Sequence, residues 1–216
     1  VFDETDKLLE VRGIGKKSIE KIKKSVEELK FSKNILFHLT GLGISLSLSK
    51  KIYNIFRENT LEVINENPYK LIKNVKGIGF LKADEIALKN NLDKNSPYRI
   101  ESAILYVLTQ KAINFGHVYY PKEKLTNEVS KLIGVETELI EPVYMNLLLS
   151  SEVVIDNSFE ESNIYLDYLY VSESYIASKL AKMALNDDSS SYAGYKETVE
   201  KLLGEVKDEL LVMQDT

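Results

Sequence analysis

Apolar residues recur at helical spacing through the first part of the chain. Over residues 16–29 they lie three and four positions apart, which predicts one buried stripe on a helix: Ile19, Ile22, Val26 and Leu29. Ser32 or Asn34 can begin the next helix, which is short and ends at Gly41. Apolar positions predict further helices around residues 52–56, 61–64 and 83–87. Asn67-Pro68-Tyr69 begins one more, with proline near its first turn.

A polar hinge at residues 90–97 separates these helices from a second set. Three more helices are predicted over residues 98–115, 121–133 and 136–149. Val153-Val154-Ile155 and Ile164-Tyr165-Leu166 then flank a polar turn, which predicts a β-hairpin. Three helices followed by a hairpin are typical of a winged helix. Beyond it we expect a helix over residues 172–185, a linker over 186–191 and a terminal helix over 196–212.

A glycine-hydrophobic-glycine triplet occurs three times between predicted helices. The copies are Gly13-Ile14-Gly15, Gly41-Leu42-Gly43 and Gly77-Ile78-Gly79. The first glycine can adopt the left-handed conformation that ends a helix, and the second lets a phosphate approach without a Cβ in the way. The unpaired amides that open the next helix favour an anion. Each triplet therefore predicts a helix-hairpin-helix turn, although a single one also fits a simple packing corner.

The three copies differ in register. In the first and third copies, Ile22 and Ile86 lie seven positions past the second glycine. In the second copy Ile52 lies nine positions past Gly43, so residues 43–49 hold about two extra residues. We therefore expect the phosphate geometry of the second copy to be distorted.

The side chains beside the turns indicate which turns would bind phosphate. Lys16 and Lys17 directly follow the first triplet and make it the best equipped for phosphate, whereas Phe80 makes the third look chiefly structural. We expect Phe80 to pack rather than stack on an unpaired base. The predicted DNA contacts are Gly13, Ile14, Gly15, Lys16, Lys17, Gly41, Leu42, Gly43, Ser45, Gly77, Ile78, Gly79 and Lys82.

Charge is unevenly distributed along the chain. The whole chain carries −5, but residues 1–91 hold 17 Lys/Arg against 12 Asp/Glu, and residues 92–216 hold 11 against 21. The first part is thus at +5 and the second at −10, a split that fits polyanion contact by the first part, although a solvated lysine face would explain it as well. Because arginine occurs only three times, the chain has few side chains that could form bidentate hydrogen bonds to bases. Contacts to the DNA backbone are therefore favoured.

The sequence offers no catalytic or metal site. It has no cysteine, and its two histidines are read as a core residue (His38) and a helix-end residue (His117). A P-loop is excluded because Lys17 stands at the magnesium-binding Ser/Thr position and Glu10 at the leading glycine. Ser18 replaces the third glycine of a dinucleotide fingerprint. The Ser45 segment lacks the closing glycine of a nucleophile elbow.

The winged-helix-like part is predicted not to read DNA. Its third helix carries Glu136, Glu138 and Glu141 and no lysine or arginine, so a major groove would repel it. A spacer or protein-contact role is favoured. The tyrosines near the hairpin are more simply explained by strand propensity and core packing than by base stacking: Tyr165, Tyr168, Tyr170 and Tyr175.

The length of the chain and its first residues limit how the protein can be organised. At 216 residues and 44% hydrophobic content the chain can form one or two domains, and no apolar run approaches the roughly 20 residues of a membrane span. No signal peptide opens it, so we expect a cytoplasmic protein without membrane contact. Because the chain begins at Val1 without methionine, we expect a fragment or a processed product.

An ordered set of motifs resembles a known family. In chain order these are the three glycine turns, Asn67-Pro68-Tyr69-x-Leu71, Gly77-Ile78-Gly79-Phe80, Ala83-Asp84-x-Ile86-Ala87, Arg99, Gly116-His117-x-Tyr119-x-Pro121 and Leu125. Together they resemble the N-terminal region of RecD-like ATP-dependent DNA helicases, which are similar to the exodeoxyribonuclease V alpha subunit. The resemblance runs from about Leu8 to Ala184.

The resemblance implies a mainly α fold, with tandem helix-hairpin-helix motifs before the winged-helix-like unit and its small β-hairpin. It also implies that hairpins come in pairs, so the odd number here predicts that the first is half of a pair. We expect half a pair at residues 1–33, a tandem helix-hairpin-helix domain at 34–92, the winged-helix-like unit at 98–170, and a helical linker toward a helicase motor at 171–216.

The family further implies a superfamily 1 motor that unwinds duplex DNA in the 5′-to-3′ direction, with ATP and magnesium as its cofactors. Its Walker A loop is absent from this chain, so the chain itself would bind no cofactor and hydrolyse no ATP. Its expected partners are DNA, single-stranded or duplex, and the motor of the same parent chain. Two alternatives stay open: a protein-interaction or spacer module that uses its hairpins only for packing, and a nuclease-associated repair domain.

Overall fold

The computed structural model describes residues 16–158 and 160–185, and these are mainly helical with one small antiparallel sheet. The predicted fold class is confirmed. Within the described ranges, no helix is long and apolar enough to cross a membrane.

The first group of helices forms two hairpins joined by short connections. The elements are α1 (Lys16–Gly41), α2 (Leu46–Phe56), a 3-10 turn (Arg57–Asn59), α3 (Thr60–Glu66), α4 (Lys70–Asn74) and α5 (Phe80–Lys89). Helix α1 packs on α2, while α3 and α4 pack on α5. Their shared core is aliphatic and fully buried: Ile35, Leu39, Ile52, Ile64, Leu71 and Ile86.

Helix α1 is one continuous helix, so the predicted new start at Ser32 or Asn34 is wrong. The interval between them and Gly41 contains no proline or glycine that would end a helix. Tertiary packing therefore outweighs the preference of serine and asparagine for the helix N-cap. Ile35 and Leu39, four residues apart, are both fully buried and hold that part of α1 on the core.

The predicted start of α4 at Asn67-Pro68-Tyr69 is confirmed. The side-chain Oδ1 of Asn67 accepts a hydrogen bond from the Tyr69 amide at 3.1 Å, which forms an Asx turn. The Leu71 amide then donates to the Pro68 carbonyl at 3.1 Å. This local chemistry turns the chain out of α3 and begins α4 within three residues.

The next elements have winged-helix topology. They are α6 (Pro97–Phe115), β1 (Tyr119–Pro121), α7 (Lys122–Ile133), α8 (Thr137–Ile140), α9 (Val143–Leu149), β2 (Val153–Asp156) and β3 (Asn163–Leu166). The strands form an antiparallel sheet in the order β1-β3-β2, in which Tyr165 lies opposite both Tyr119 and Val154. Helices α6, α7 and α9 and the sheet share a core of fully buried side chains: Ile104, Leu125, Tyr144 and Ile164.

Two details of this unit differ from the prediction. The expected third helix over residues 136–149 is divided into α8 and α9 at Pro142, because proline has no amide to donate and clashes with the preceding turn. Strand β1 was not predicted; at three residues it carries too little alternation to be recognised without its partner.

A buried ion pair joins the two groups of helices. Arg99 on α6 is 5% exposed, and its Nε and Nη2 donate to the two carboxylate oxygens of Asp84 on α5 at 2.7 and 3.0 Å. Its Nη1 donates to the carbonyls of Lys94 and Ile133 at 2.9 and 3.0 Å. The Tyr69 hydroxyl donates at 2.6 Å to Oδ1 of Asp84, the oxygen that also accepts from the Arg99 Nε. Burial and the hydrogen bond to Asp84 raise the pKa of Tyr69, so it stays a neutral donor.

Helix α10 (Asp167–Leu185) begins five residues before the predicted start at residue 172. Contacts divide the chain after Asp167, and most of α10 belongs to a second unit. The boundaries expected at residues 33/34, 92/98 and 170/171 stay predictions. The linker expected over residues 186–191 and the terminal helix over 196–212 lie outside the described residues.

Candidate nucleic-acid interface

The third glycine turn has an open helix start. Gly77 has φ +100°, a conformation that side chains rarely adopt, and Ile78 is buried with its amide donating to the Val75 carbonyl at 3.1 Å. Gly79 then caps α5 without any side chain. The amides of residues 80–82 therefore have no intrahelical acceptor and no side-chain cap, whereas the Ala83 amide donates to the Gly79 carbonyl at 3.0 Å.

The second turn has the same construction around a different triplet. Gly43 has φ +79°, Ile44 is buried, and Ser45 caps α2. The Ser45 Oγ accepts a hydrogen bond from the Leu48 amide at 3.4 Å, and the Ser49 amide donates to the Ser45 carbonyl at 2.8 Å. The Ser45 side chain thus accepts a hydrogen bond from one of the first amides of α2. At the third turn, no side chain caps the first amides of α5.

The structural equivalent of Gly77-Ile78-Gly79 is therefore Gly43-Ile44-Ser45, two residues later than predicted. Gly41 is the last residue of α1, not the first residue of the turn. Counted from Ser45, Ile52 lies seven positions on, as Ile86 does from Gly79. The two extra residues inferred from the sequence disappear, and the second turn is not distorted by an insertion.

The corrected register gives opposite expectations for two glycines. Gly43→Ala forces a side chain into a positive φ and should lower the free energy of unfolding by about 1–2 kcal/mol. Gly41→Ala lies at a helical position where an added Cβ would meet no atom within 4 Å beyond the neighbouring backbone of its own helix, and it should raise the free energy of unfolding by up to about 1 kcal/mol. Denaturant unfolding of both variants measures the contrast. Equal effects would contradict the corrected register.

Gly13, Ile14 and Gly15 lie outside the described residues. Lys16 begins α1, and the side chain of Lys17 is exposed. Both lysines therefore lie in the first turn of α1.

Lys82, predicted at the third turn, also reaches the second turn. Its Nζ lies 2.8 Å from the Glu85 carboxylate and 3.5 Å from the Gly43 carbonyl oxygen. Lys89, which was not predicted, donates to the other Glu85 oxygen at 2.8 Å. A Cβ added to Gly43 would lie 2.7 Å from the Lys89 Nζ. The second and third turns are thus connected by one charged cluster, which we call the α5 clamp: Lys82, Glu85 and Lys89.

Electrostatics within the α5 clamp favour the charged form of Glu85. The hydrogen bonds from Lys82 and Lys89 lower the pKa of Glu85 to about 2. The spacing of three and four residues is visible in the sequence and could have predicted the ion pairs. Their position against Gly43 could not be predicted, because it depends on how α5 packs beside the end of α1.

Phe80 packs in the core, as predicted. It is 3% exposed and lies between the rings of Tyr69 and Tyr106, with centroid distances of 6.1 and 5.1 Å. Its neighbour Leu81 is 61% exposed. At the third turn, the side chain that reaches solvent is therefore aliphatic, and the aromatic ring is buried.

The winged-helix-like unit presents an acidic face. Glu138 on α8 and Glu141 line a cavity of about 580 Å³ together with Glu123, Glu160 and Glu161. Lys122 is paired with Glu141 at 2.6 Å. Glu136 caps α8, so all three glutamates of the predicted third helix lie on or next to α8. This side of the unit is unsuited to polyanion contact.

The histidines and tyrosines fit their predicted roles only in part. His38 is exposed, so the core interpretation is wrong; Leu39 takes the inward position of that segment. The backbone amide of His117 donates to the Lys111 carbonyl at 3.2 Å, at the end of α6. Of the four tyrosines, only Tyr165 is buried, while the three on α10 are exposed: Tyr168, Tyr170 and Tyr175. No group of three or more metal-ligating side chains occurs among the described residues.

Comparison with known proteins places the two described turns in one family domain. A family model described as the ATP-dependent RecD2 DNA helicase HHH domain matches residues 28–119. The chain is also 26% identical over 122 residues to the ATP-dependent RecD2 DNA helicase of Deinococcus radiodurans. That similarity covers 56% of this chain and 17% of the relative. The matched residues include the second and third turns, the α5 clamp and Arg99.

Proposed function

Because the chain carries the helix-hairpin-helix region of RecD-like DNA helicases, we propose that it binds the sugar-phosphate backbone of DNA without sequence preference. The observation that carries this proposal is the shared construction of the second and third turns. Each has a glycine at positive φ, a buried isoleucine and a following helix whose first amides have no intrahelical acceptor. Two such turns in one domain offer two points of contact to a backbone.

Charge around the turns supports a backbone mode of binding. Exposed lysines precede the third turn at Lys76 and follow the second at Lys50 and Lys51. Ammonium groups contact phosphates without reading bases, so affinity should depend on salt and not on sequence. The two described arginines are not expected to read bases, since Arg99 is buried in an ion pair and Arg57 lies over the Tyr53 ring.

The parent protein is proposed to be an ATP-dependent helicase, in which this region would be an accessory to the motor. The relative that bears this name is about six times longer than the matched segment, so its activity does not transfer to these residues alone. ATP and magnesium would belong to the motor. The chain itself is proposed to contribute DNA contact and no catalytic step.

A protein-contact role for the winged-helix-like unit is the second candidate. The unit has an acidic cavity and also exposes apolar side chains on α8 and α9: Leu139, Met145 and Leu149. Carboxylates and exposed apolar side chains in one unit suit a protein partner better than a polyanion. The two proposals concern different faces and can both hold for one chain.

Titration of labelled single-stranded and duplex DNA between roughly 50 and 200 mM salt tests the proposed function. We expect wild-type affinity to fall steeply with salt. Lys16→Glu/Lys17→Glu removes two ammonium groups at the start of α1. If each contacts one phosphate, the double variant should bind about 25- to 60-fold more weakly at 0.1 M salt.

Lys179→Glu/Lys182→Glu on α10 is the matched control, because it makes the same change of charge on a helix that contains none of the glycine turns. It should bind nearly as the wild type does. Absence of salt-dependent binding by the wild-type chain would contradict DNA binding and leave the protein-contact role. Equal losses in both double variants would show that overall charge, rather than the first turn, determines affinity.

A further inference from the structure

We propose that Lys82 and Lys89 form a phosphate-binding site beside the second turn, and that the Glu85 carboxylate occupies this site when DNA is not bound. The inference rests on the proposed function and adds a specific site to it. Neither Glu85 nor Lys89 belongs to a glycine turn, and Lys82 acts here at the turn of the other hairpin. The ligand is a backbone phosphate of DNA.

The geometry suits a tetrahedral oxyanion. Each carboxylate oxygen of Glu85 accepts one hydrogen bond from one ammonium, at 2.8 Å in both cases. A phosphodiester also presents two oxygens that share one negative charge on one atom, and it can accept hydrogen bonds from the same two donors. The carboxylate thus marks a place where two cations already converge on one anionic group.

Gly43 gives this cluster its position against the turn. The Lys89 Nζ occupies space that a Cβ at residue 43 would need, and the Lys82 Nζ lies 3.5 Å from the Gly43 carbonyl. A side chain at residue 43 would displace the Lys89 ammonium from the turn. The absence of a side chain at Gly43 therefore leaves room for the Lys89 ammonium and also permits the positive φ.

Displacement of the carboxylate is feasible because the ion pairs are exposed. The side chains of Lys82, Glu85 and Lys89 are 33%, 44% and 48% exposed. Pairs of this kind, three and four residues apart on a helix surface, are weak and easily exchanged for another anion. A phosphate held at the same time by the turns would compete effectively with a single tethered carboxylate.

The test measures binding of labelled, mixed-sequence single-stranded and duplex DNA to the full chain over a range of salt. Glu85→Gln leaves the two lysines without a competing charge and should bind DNA about two- to fivefold more tightly at low salt. Lys89→Gln removes one ammonium and should bind about five- to eightfold more weakly at 0.1 M salt. Circular dichroism and melting temperature check that both variants fold.

Two controls match these changes in charge. Glu62→Gln neutralises an exposed glutamate on α3, and Lys124→Gln an exposed lysine on α7. If Glu85→Gln binds no more tightly than Glu62→Gln, or Lys89→Gln no more weakly than Lys124→Gln, the clamp proposal is overturned while DNA binding stands. If neither the wild type nor any variant shows salt-dependent binding, the proposed function itself fails.

Discussion

Arg99→Met should lower the free energy of unfolding by about 3–5 kcal/mol, the largest effect expected of any single polar substitution in the described chain. The guanidinium is 5% exposed and makes four hydrogen bonds to three acceptor residues. Removing it leaves the Asp84 carboxylate, 15% exposed, without its cation. The carbonyls of Lys94 and Ile133 lose their donor in the same step. Urea unfolding followed by circular dichroism measures the loss.

The same change at Arg57 is the control. Arg57 is exposed and lies 5.6 Å from the centre of the Tyr53 ring, so Arg57→Met should cost less than about 1 kcal/mol. Arg99→Lys should fall between the two, because lysine keeps the charge but not the paired donors. A cost for Arg99→Met no greater than that for Arg57→Met would show that the ion pair contributes little to the fold.

The position of Arg99 gives this prediction a functional consequence. It joins α6 to α5, and α5 carries both the third turn and the α5 clamp. Asp84 follows Lys82 by two residues on the same helix, so the buried pair fixes the helix whose opposite side carries the lysines. Loss of Arg99 should therefore weaken DNA binding through the stability of α5, without removing any phosphate contact.

Strong helical periodicity was enough to predict several elements. Helix α6 was expected over residues 98–115 and spans Pro97–Phe115, and α7 was expected over 121–133 and spans Lys122–Ile133. In both, apolar residues repeat over three or more turns, and a glycine in the left-handed conformation ends the helix. The division at Pro142 could also have been predicted, since proline breaks a helix by a purely local effect.

The glycine turns show where local patterns mislead. Gly41-Leu42-Gly43 matches the triplet by residue type, yet the conformation repeats at Gly43-Ile44-Ser45. Serine replaces glycine there because a helix cap can be made by a side-chain oxygen as well as by a bare backbone. The spacing to Ile52 was the signal that could have located the turn, since it requires the helix to begin after Ser45.

The α5 clamp depends on tertiary structure that no local pattern encodes. Lys82, Glu85 and Lys89 have helical ion-pair spacing, which occurs on many solvated helices. Only the packing of the two hairpins brings Lys82 and Lys89 to a glycine some forty residues earlier in the chain. Sequence analysis could therefore predict the turns, but it placed Lys82 at the third turn alone, whereas its Nζ also lies 3.5 Å from the Gly43 carbonyl oxygen of the second.

Phe80→Ala should lower the free energy of unfolding by about 3–5 kcal/mol, because it opens a cavity between two aromatic rings in a closed core. Leu81→Ala, one residue away and largely exposed, should stay within about 0.5 kcal/mol. Phe80→Leu keeps most of the apolar volume and should leave DNA affinity unchanged in the folded chain. If Phe80 instead stacked on an unpaired base, leucine would cost about 1–3 kcal/mol of binding energy to single-stranded DNA. Titration of Phe80→Leu beside wild type, with melting curves for all three variants, separates a packing role from a stacking one.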